Sequence, residues 1–255
     1  MINMVLADLK RILLGKAIYQ GIAFMFVFMF FMLVVVDQRP GELSPLYDAF
    51  NRGEITTTMI LRANISFIGF LAVMSMLVIV GDDFKEGTIK NTICVGVSRT
   101  QFYFAKLTLA IILAVLIFFT YHIGGAGFLT FASGIYFNYT FSDLLATIPA
   151  FAIQLFLFLA CTSLGVCILF IVKKVELVFL FLLIIQVPII LVAMLRNLIP
   201  PITHLLYIDI NNAMSTLAFA DFPASEIYRL LIIGTVYFII STALGLFFFN
   251  RRDIK

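Results

Sequence analysis

The sequence predicts an all-α integral membrane protein with six transmembrane helices, and three observations carry that prediction. Hydrophobic residues fill 63% of its 255 positions and charged residues only 12%, against roughly 45–50% and about 25% in soluble domains. The charges lie between six apolar stretches rather than along them. Each stretch approaches the ~20 residues that a helix, rising ~1.5 Å per residue, needs to cross about 30 Å of hydrocarbon.

The chain reads as one membrane domain, 1–255, opened by a surface helix at 1–16. There Ile2, Val5, Leu6, Leu9, Ile12 and Leu13 recur at helical spacing, with Asp8, Lys10 and Arg11 on other faces. Such a helix lies in the interface, apolar side in the acyl boundary and basic side toward headgroups. Spans are expected at about 17–36, 64–81, 107–127, 147–172, 175–195 and 230–249. The first is too long for a signal-peptide core, and no small-residue cleavage pattern follows it.

Between the first two spans, Pro40, Gly41 and Pro45 among charges mark a wet, turn-rich loop. Tyr136, Phe137, Tyr139 and Phe141 suit a headgroup-level aromatic belt before the fourth span. Before the sixth, Pro200 and Pro201 precede Ile202, Leu205, Leu206, Ile208 and Asp209. That pattern predicts a hairpin of short helices dipping into the outer leaflet, its irregular backbone covered by protein or water.

The basic residues orient the bundle. Twelve Lys and Arg flank one set of span ends, including Lys10, Arg11, Lys16, Lys85, Lys90, Arg99, Lys106, Lys173, Lys174 and the tail from Arg251. The opposite ends hold five: Arg39, Arg52, Arg62, Arg196 and Arg229. Both termini are therefore expected in the cytoplasm of a multi-pass plasma-membrane protein. The net charge of +3 is a topology signal and gives no support to nucleic-acid binding.

Several function classes find no residues to serve them. Cys94, Cys161 and Cys167 have neither metal-ligand nor disulfide-framework spacing, and His122 and His204 stand apart. No internal repeat is visible and no Asp, Glu, Lys or Arg lies deep in an expected span, so ion-coupled secondary transport lacks its carriers. Paired intramembrane aspartates and an H-E-x-x-H motif are missing too, which argues against an enzyme. The phosphate loop G-x-x-x-x-G-K-[ST] is also missing, so the chain lacks that ATP-hydrolysing machinery.

The stretch 82–106 carries the most specific pattern. Thr88 can cap a short helix whose Ile89 and Ile93 share a face, and Gly96 can end it. Ser98 with Gln101 forms a capping-box pattern for the helix that follows. The run Glu86-Gly87-Thr88-Ile89-Lys90-Asn91, then Gly96-Val97-Ser98-Arg99, then Lys106, resembles the region after the second span of ABC-2-type exporter permeases. The layout resembles that of the small six-helix members, the bacteriocin-immunity, bacitracin-resistance and phenol-soluble-modulin export permeases.

That resemblance implies a type V exporter-like transmembrane domain with an amino-terminal elbow helix, a cytoplasmic coupling helix and a reentrant external hairpin. It implies that Asp83, Lys85, Glu86, Gly87, Thr88, Ile89, Lys90, Asn91 and Arg99 form the docking site for a separate ATPase. Two ATPase subunits would hold ATP and Mg, while this chain holds no cofactor and pairs with a second permease. Amphipathic peptides or lipophilic antibiotics fit the 29 Phe and 10 Met, soft surfaces that repack around variable ligands. Gln154, Thr162, Ser163 and Gln186 are the polar candidates for a substrate path, with interhelical hydrogen bonding as their alternative role. A membrane sensor or scaffold without transport, or an exporter of another lipophilic or glycan cargo, remains open.

Overall fold

A computed structural model describes residues 2–16, 19–23, 26–27, 80–81, 83–84, 88–124, 141–195, 208–216 and 224–251. Those residues form helices and turns, with no strand among them. We number the helices α1 (Ile2–Leu14), α2 (Thr88–Cys94), α3 (Arg99–Phe119), α4 (Phe141–Val172), α5 (Val175–Leu195), α6 (Ile210–Thr216) and α7 (Ala224–Arg251). Residues 80, 81, 83 and 84 are also helical. Among the described residues, three helices are long and apolar enough to cross a membrane: Arg99–Gly124, Ile148–Val172 and Ser225–Arg251. Of the first expected span only residues 19–23 and 26–27 are described, all of them helical, and of the second only 80 and 81; Pro200-Pro201 lie outside the described residues.

Sequence logic shows in the helix ends. Ser98 caps α3 through a complete capping box, its Oγ accepting from the Gln101 amide and its amide donating to Gln101 Oε1. At the end of α2 the Gly96 amide donates to Ile93 and the Val97 amide to Thr92, the two bonds of a Schellman turn. Gly96 takes φ 100° there, a left-handed backbone that a Cβ disfavours. Beyond α3 the chain continues as a π-helical turn, Thr120–Gly124. A two-residue link, Lys173-Lys174, joins α4 to α5, with Lys173 itself at φ 62°.

Helix boundaries outrun the apolar windows. α3 begins eight residues before the expected third span because Ser98 caps it, and Phe102, Tyr103 and Lys106 are buried. Lys106, expected on this helix at the membrane boundary, is instead buried in the bundle. α4 begins at Phe141 rather than near 147 and carries Pro149 within it. Its 32 residues span about 48 Å, more than the hydrocarbon alone requires. α5 covers the range expected for the fifth span.

Aromatic contacts give the relative directions. Tyr103 meets Phe170 at 4.8 Å between ring centroids, and Phe118 meets Phe158 at 5.8 Å and Phe151 at 6.0 Å, so α3 and α4 are antiparallel. Phe170 meets Phe249 at 4.9 Å, while Gly234 lies against Phe156 and Leu157, so α4 and α7 run parallel. The start of α3 and the ends of α4 and α7 consequently share one end of the bundle. Lys90, Arg99, Lys106, Lys173, Lys174 and Arg251 gather there, as does α1 with Lys10 and Arg11. Arg229 is at the other end. The division matches the one that orients the sequence, although which compartment each end faces is set by the positive-inside expectation alone.

Candidate functional site

The basic end of the bundle is where the sequence-predicted docking residues fall, and it is built in three tiers. Deepest is an aromatic knot. Phe170 takes edge contacts from Phe84 at 5.2 Å, Phe102 at 6.2 Å, Tyr103 at 4.8 Å and Phe249 at 4.9 Å. These rings come from the 80–84 stretch, α3, α4 and α7. Edge-to-face pairs of this kind add roughly 0.5–1.5 kcal/mol each beyond their buried area.

The second tier is charged. Lys106 Nζ lies 2.5 Å from Asp8 and also pairs with Asp83. Arg11 reaches Asp83 at 3.3 Å and Asp8 at 3.7 Å. Two acids and two bases thus meet, drawn from α1, the 80–84 stretch and α3. The Lys106 side chain is only 3% exposed and that of Asp83 only 6%, while Arg11 is 47% exposed. Lys106 also lies 5.4 Å from the centre of the Phe102 ring. Ions this deep are tolerated because each has an opposite charge in contact.

This cluster revises the sequence reading of α1. Its charges were expected to face headgroups, but Asp8 turns inward and Arg11 bridges to Asp83, because Asp8 lies beside the buried Val5 and Ile12 on the helix. Ile2, Leu6 and Leu13 form a separate, exposed apolar stripe, and Lys10 is exposed.

The third tier is α2. Ile89 is buried and Ile93 packs partly against the core, as their shared face predicts. Lys90, Asn91, Cys94 and Val95 are exposed. Arg99 does not point outward with them. Its guanidinium donates to the carbonyls of Asn250 at 2.9 Å and Phe249 at 3.5 Å, closing the end of α7 with a cation. Of the docking candidates, then, Lys90 and Asn91 present an open face, Ile89 anchors it, and Asp83 and Arg99 are turned into the bundle. Lys85, Glu86, Gly87 and the side chain of Thr88 lie outside the described residues.

The substrate-path candidates occupy a different region. Gln154, Thr162 and Ser163 are all buried. Gln154 Nε2 donates to the Met214 carbonyl at 3.1 Å, tying α6 onto α4. Thr162 donates to Phe158 of its own helix at 2.9 Å, and Ser163 meets Ser241 on α7 at 2.6 Å. In this conformation Gln154 and Ser163 join helices, whereas Thr162 bonds within its own. The side chain of Gln186 lies outside the described residues.

Sequence reasoning named Asp8 on the amino-terminal helix and Lys106 in the 82–106 stretch without pairing them, and it missed Ser241. Spacing carries little trace of partners 98 and 78 residues apart; the only clue was one lysine inside an apolar run. Asp209, placed by the sequence in the outer loop, accepts from the Asn212 amide at 2.7 Å and starts α6. No group of His, Cys, Asp and Glu that could hold a metal occurs among the described residues.

The arrangement defines an α-helical protein with membrane-length apolar helices and a basic, polar-faced end. No protein-family model matches the sequence, and no curated protein matches it.

Proposed function

We propose that this chain is the transmembrane permease subunit of an ATP-driven exporter of the ABC-2 type, working at a bacterial plasma membrane. In this reading α2 is the coupling helix and α1 the elbow helix. Two separate ATPase subunits bind ATP and Mg and seat α2 of each of two permeases. ATP-driven closure moves α2, and the attached helices tilt as bodies. The cargo is an amphipathic peptide or a lipophilic antibiotic, since each unpaired charge at mid-bilayer costs about 2.5–3.5 kcal/mol on the insertion scale.

One observation supports this reading most. α2 offers Lys90 and Asn91 outward at the basic end, while its buried Ile89 and partly buried Ile93 pack into the core that the long helices share. A short helix so anchored can pass a push to the bundle.

Cells deleted for the chain should become sensitive to amphipathic antimicrobial peptides. Tolerance should return only with the permease and an ATPase bearing a phosphate loop. Unchanged peptide tolerance and export in the deletion strain would overturn the peptide reading.

The sealed contacts of Gln154 and Ser163 favour a second reading, a sensor or scaffold that does not transport. A hydrolysis-dead ATPase separates the two. Full tolerance with it supports the scaffold, and lost tolerance supports the exporter.

A further inference from the structure

We infer that Asp8, Arg11, Asp83 and Lys106 form a redundant ionic latch that fastens the amino-terminal helix to the bundle. The latch makes α1, the 80–84 stretch and α3 one mechanical body. It stands whether or not α2 docks a partner, so its test is independent of the exporter reading.

The redundancy is in the wiring. α1 supplies one acid and one base, Asp8 and Arg11. The bundle supplies one of each, Asp83 and Lys106. Two of the contacts cross between α1 and the bundle: Asp8 with Lys106 at 2.5 Å, and Arg11 with Asp83 at 3.3 Å. The other two stay within a side: Asp8 with Arg11 at 3.7 Å, and Lys106 with Asp83. Every one of the four charges therefore touches a charge of opposite sign on its own side and another across the gap.

Packing alone does not account for this geometry. The side of α1 facing the bundle buries Val5 and Ile12 and packs Met4 and Leu9 partly against the core, apolar contacts that by themselves bring no charges together. Ile2, Leu6 and Leu13 point elsewhere. A membrane surface alone would set the depth of α1 through that exposed stripe and leave its distance from α3 and its direction in the membrane plane free. The crossing pairs fix both, and burial of Lys106 and Asp83 makes parting them unfavourable, because each buried charge would lose one of its two opposite-sign contacts in a low-dielectric site. Asp83 stands one residue from Phe84, which packs on Phe170. A displacement of residue 84 is thus delivered to α1 and α3 together.

The wiring predicts which double substitutions keep the latch. Lys106→Met with Asp8→Asn leaves the crossing pair Arg11–Asp83. Lys106→Met with Asp83→Asn leaves only Asp8 and Arg11, both on α1. The remaining pair of doubles mirrors these. Arg11→Met with Asp83→Asn keeps the crossing pair Asp8–Lys106, whereas Arg11→Met with Asp8→Asn leaves only Lys106 and Asp83. Each double removes one acid and one base, so net charge is constant throughout.

Amide hydrogen exchange across Ile2–Leu14, on the full chain purified in nanodiscs, reads the result. Doubles that keep a crossing pair should exchange within about threefold of the parent. Those that lose both crossing pairs should exchange about tenfold faster or more in α1, while α4 and α7 keep their protection. Equal α1 exchange in the two kinds of double would overturn the latch. The Arg11 pair supplies the same comparison without touching Lys106, should the Lys106 variants fail to fold.

Discussion

The hydroxyls of Ser163 and Ser241 stand 2.6 Å apart in the buried seam between α4 and α7. Each is also placed toward a carbonyl of its own helix, Ala160 for Ser163 at 2.8 Å and Phe238 for Ser241 at 3.2 Å. Water is scarce at such a seam, so polar groups there find partners within the protein. Small side chains also let two parallel helices approach, which is why serine and glycine recur along this contact. Together with Gly234 against Phe156 and Phe249 against Phe170, the pair fixes the register of α7 on α4.

The serine pair should show measurable coupling. Ser163→Ala and Ser241→Ala, alone and combined, form a double-mutant cycle for unfolding in mixed micelles. The coupling energy should be about 0.6 kcal/mol, the average for interhelical hydrogen bonds in membrane proteins, and below about 2 kcal/mol. A coupling indistinguishable from zero would mean that the hydroxyls do not share the bond.

Gly245 sets the backbone of α7 directly against Tyr103 of α3. A Cβ built there would meet the hydroxyl of Tyr103 and two of its ring carbons. Gly245→Ala should therefore destabilise the chain by about 1–3 kcal/mol through overpacking. The Tyr103 hydroxyl has no hydrogen-bond partner among the described residues, so Tyr103→Phe alone should be close to neutral. Combined with Gly245→Ala it should recover part of the loss by removing the nearest atom. A double variant no more stable than Gly245→Ala would contradict this packing.

Local chemistry was legible in the sequence, and distant pairing was not. Ser98 with Gln101, Gly96 after α2, and the apolar window 175–195 each signal their structure through residues within one helix or turn. Ile89 and Ile93 likewise announce the buried face of α2. Lys106 shows the limit. A charge at the edge of an apolar run reads as the membrane boundary, because the two acids that let it enter the bundle lie far away in sequence. The same limit applies to Gln154. Its residue type suits a polar path or a helix joint equally, and only the Met214 carbonyl opposite it decides which role it plays in this conformation.

Cys94 offers a native probe of orientation. It is exposed at the basic end, whereas Cys167 is buried and Cys161 is partly covered within α4. If the basic end faces the cytoplasm, a membrane-impermeant maleimide should leave the chain unlabelled in intact cells. It should label the chain in inside-out vesicles, and Cys94→Ser should abolish that signal. Labelling of Cys94 from outside intact cells would reverse the topology.

The turn at Gly96 separates the integrity of α2 from that of the bundle. Its φ of 100° is costly for a residue with a Cβ, yet an added Cβ would meet nothing within 4 Å. Any penalty on substitution is therefore conformational, about 1–2 kcal/mol, and confined to the Schellman turn. Gly96→Val should fray α2, seen as faster amide exchange over Thr88–Cys94, while α3, α4 and α7 keep their protection. Gly96→Asn should lie nearer the parent, because asparagine tolerates the left-handed region. Under the exporter reading, the valine variant should also lose ATP-coupled peptide tolerance although the protein remains folded in the membrane. Frayed α2 with tolerance intact would remove α2 from the coupling path, and unchanged exchange would show that the turn does not hold the helix.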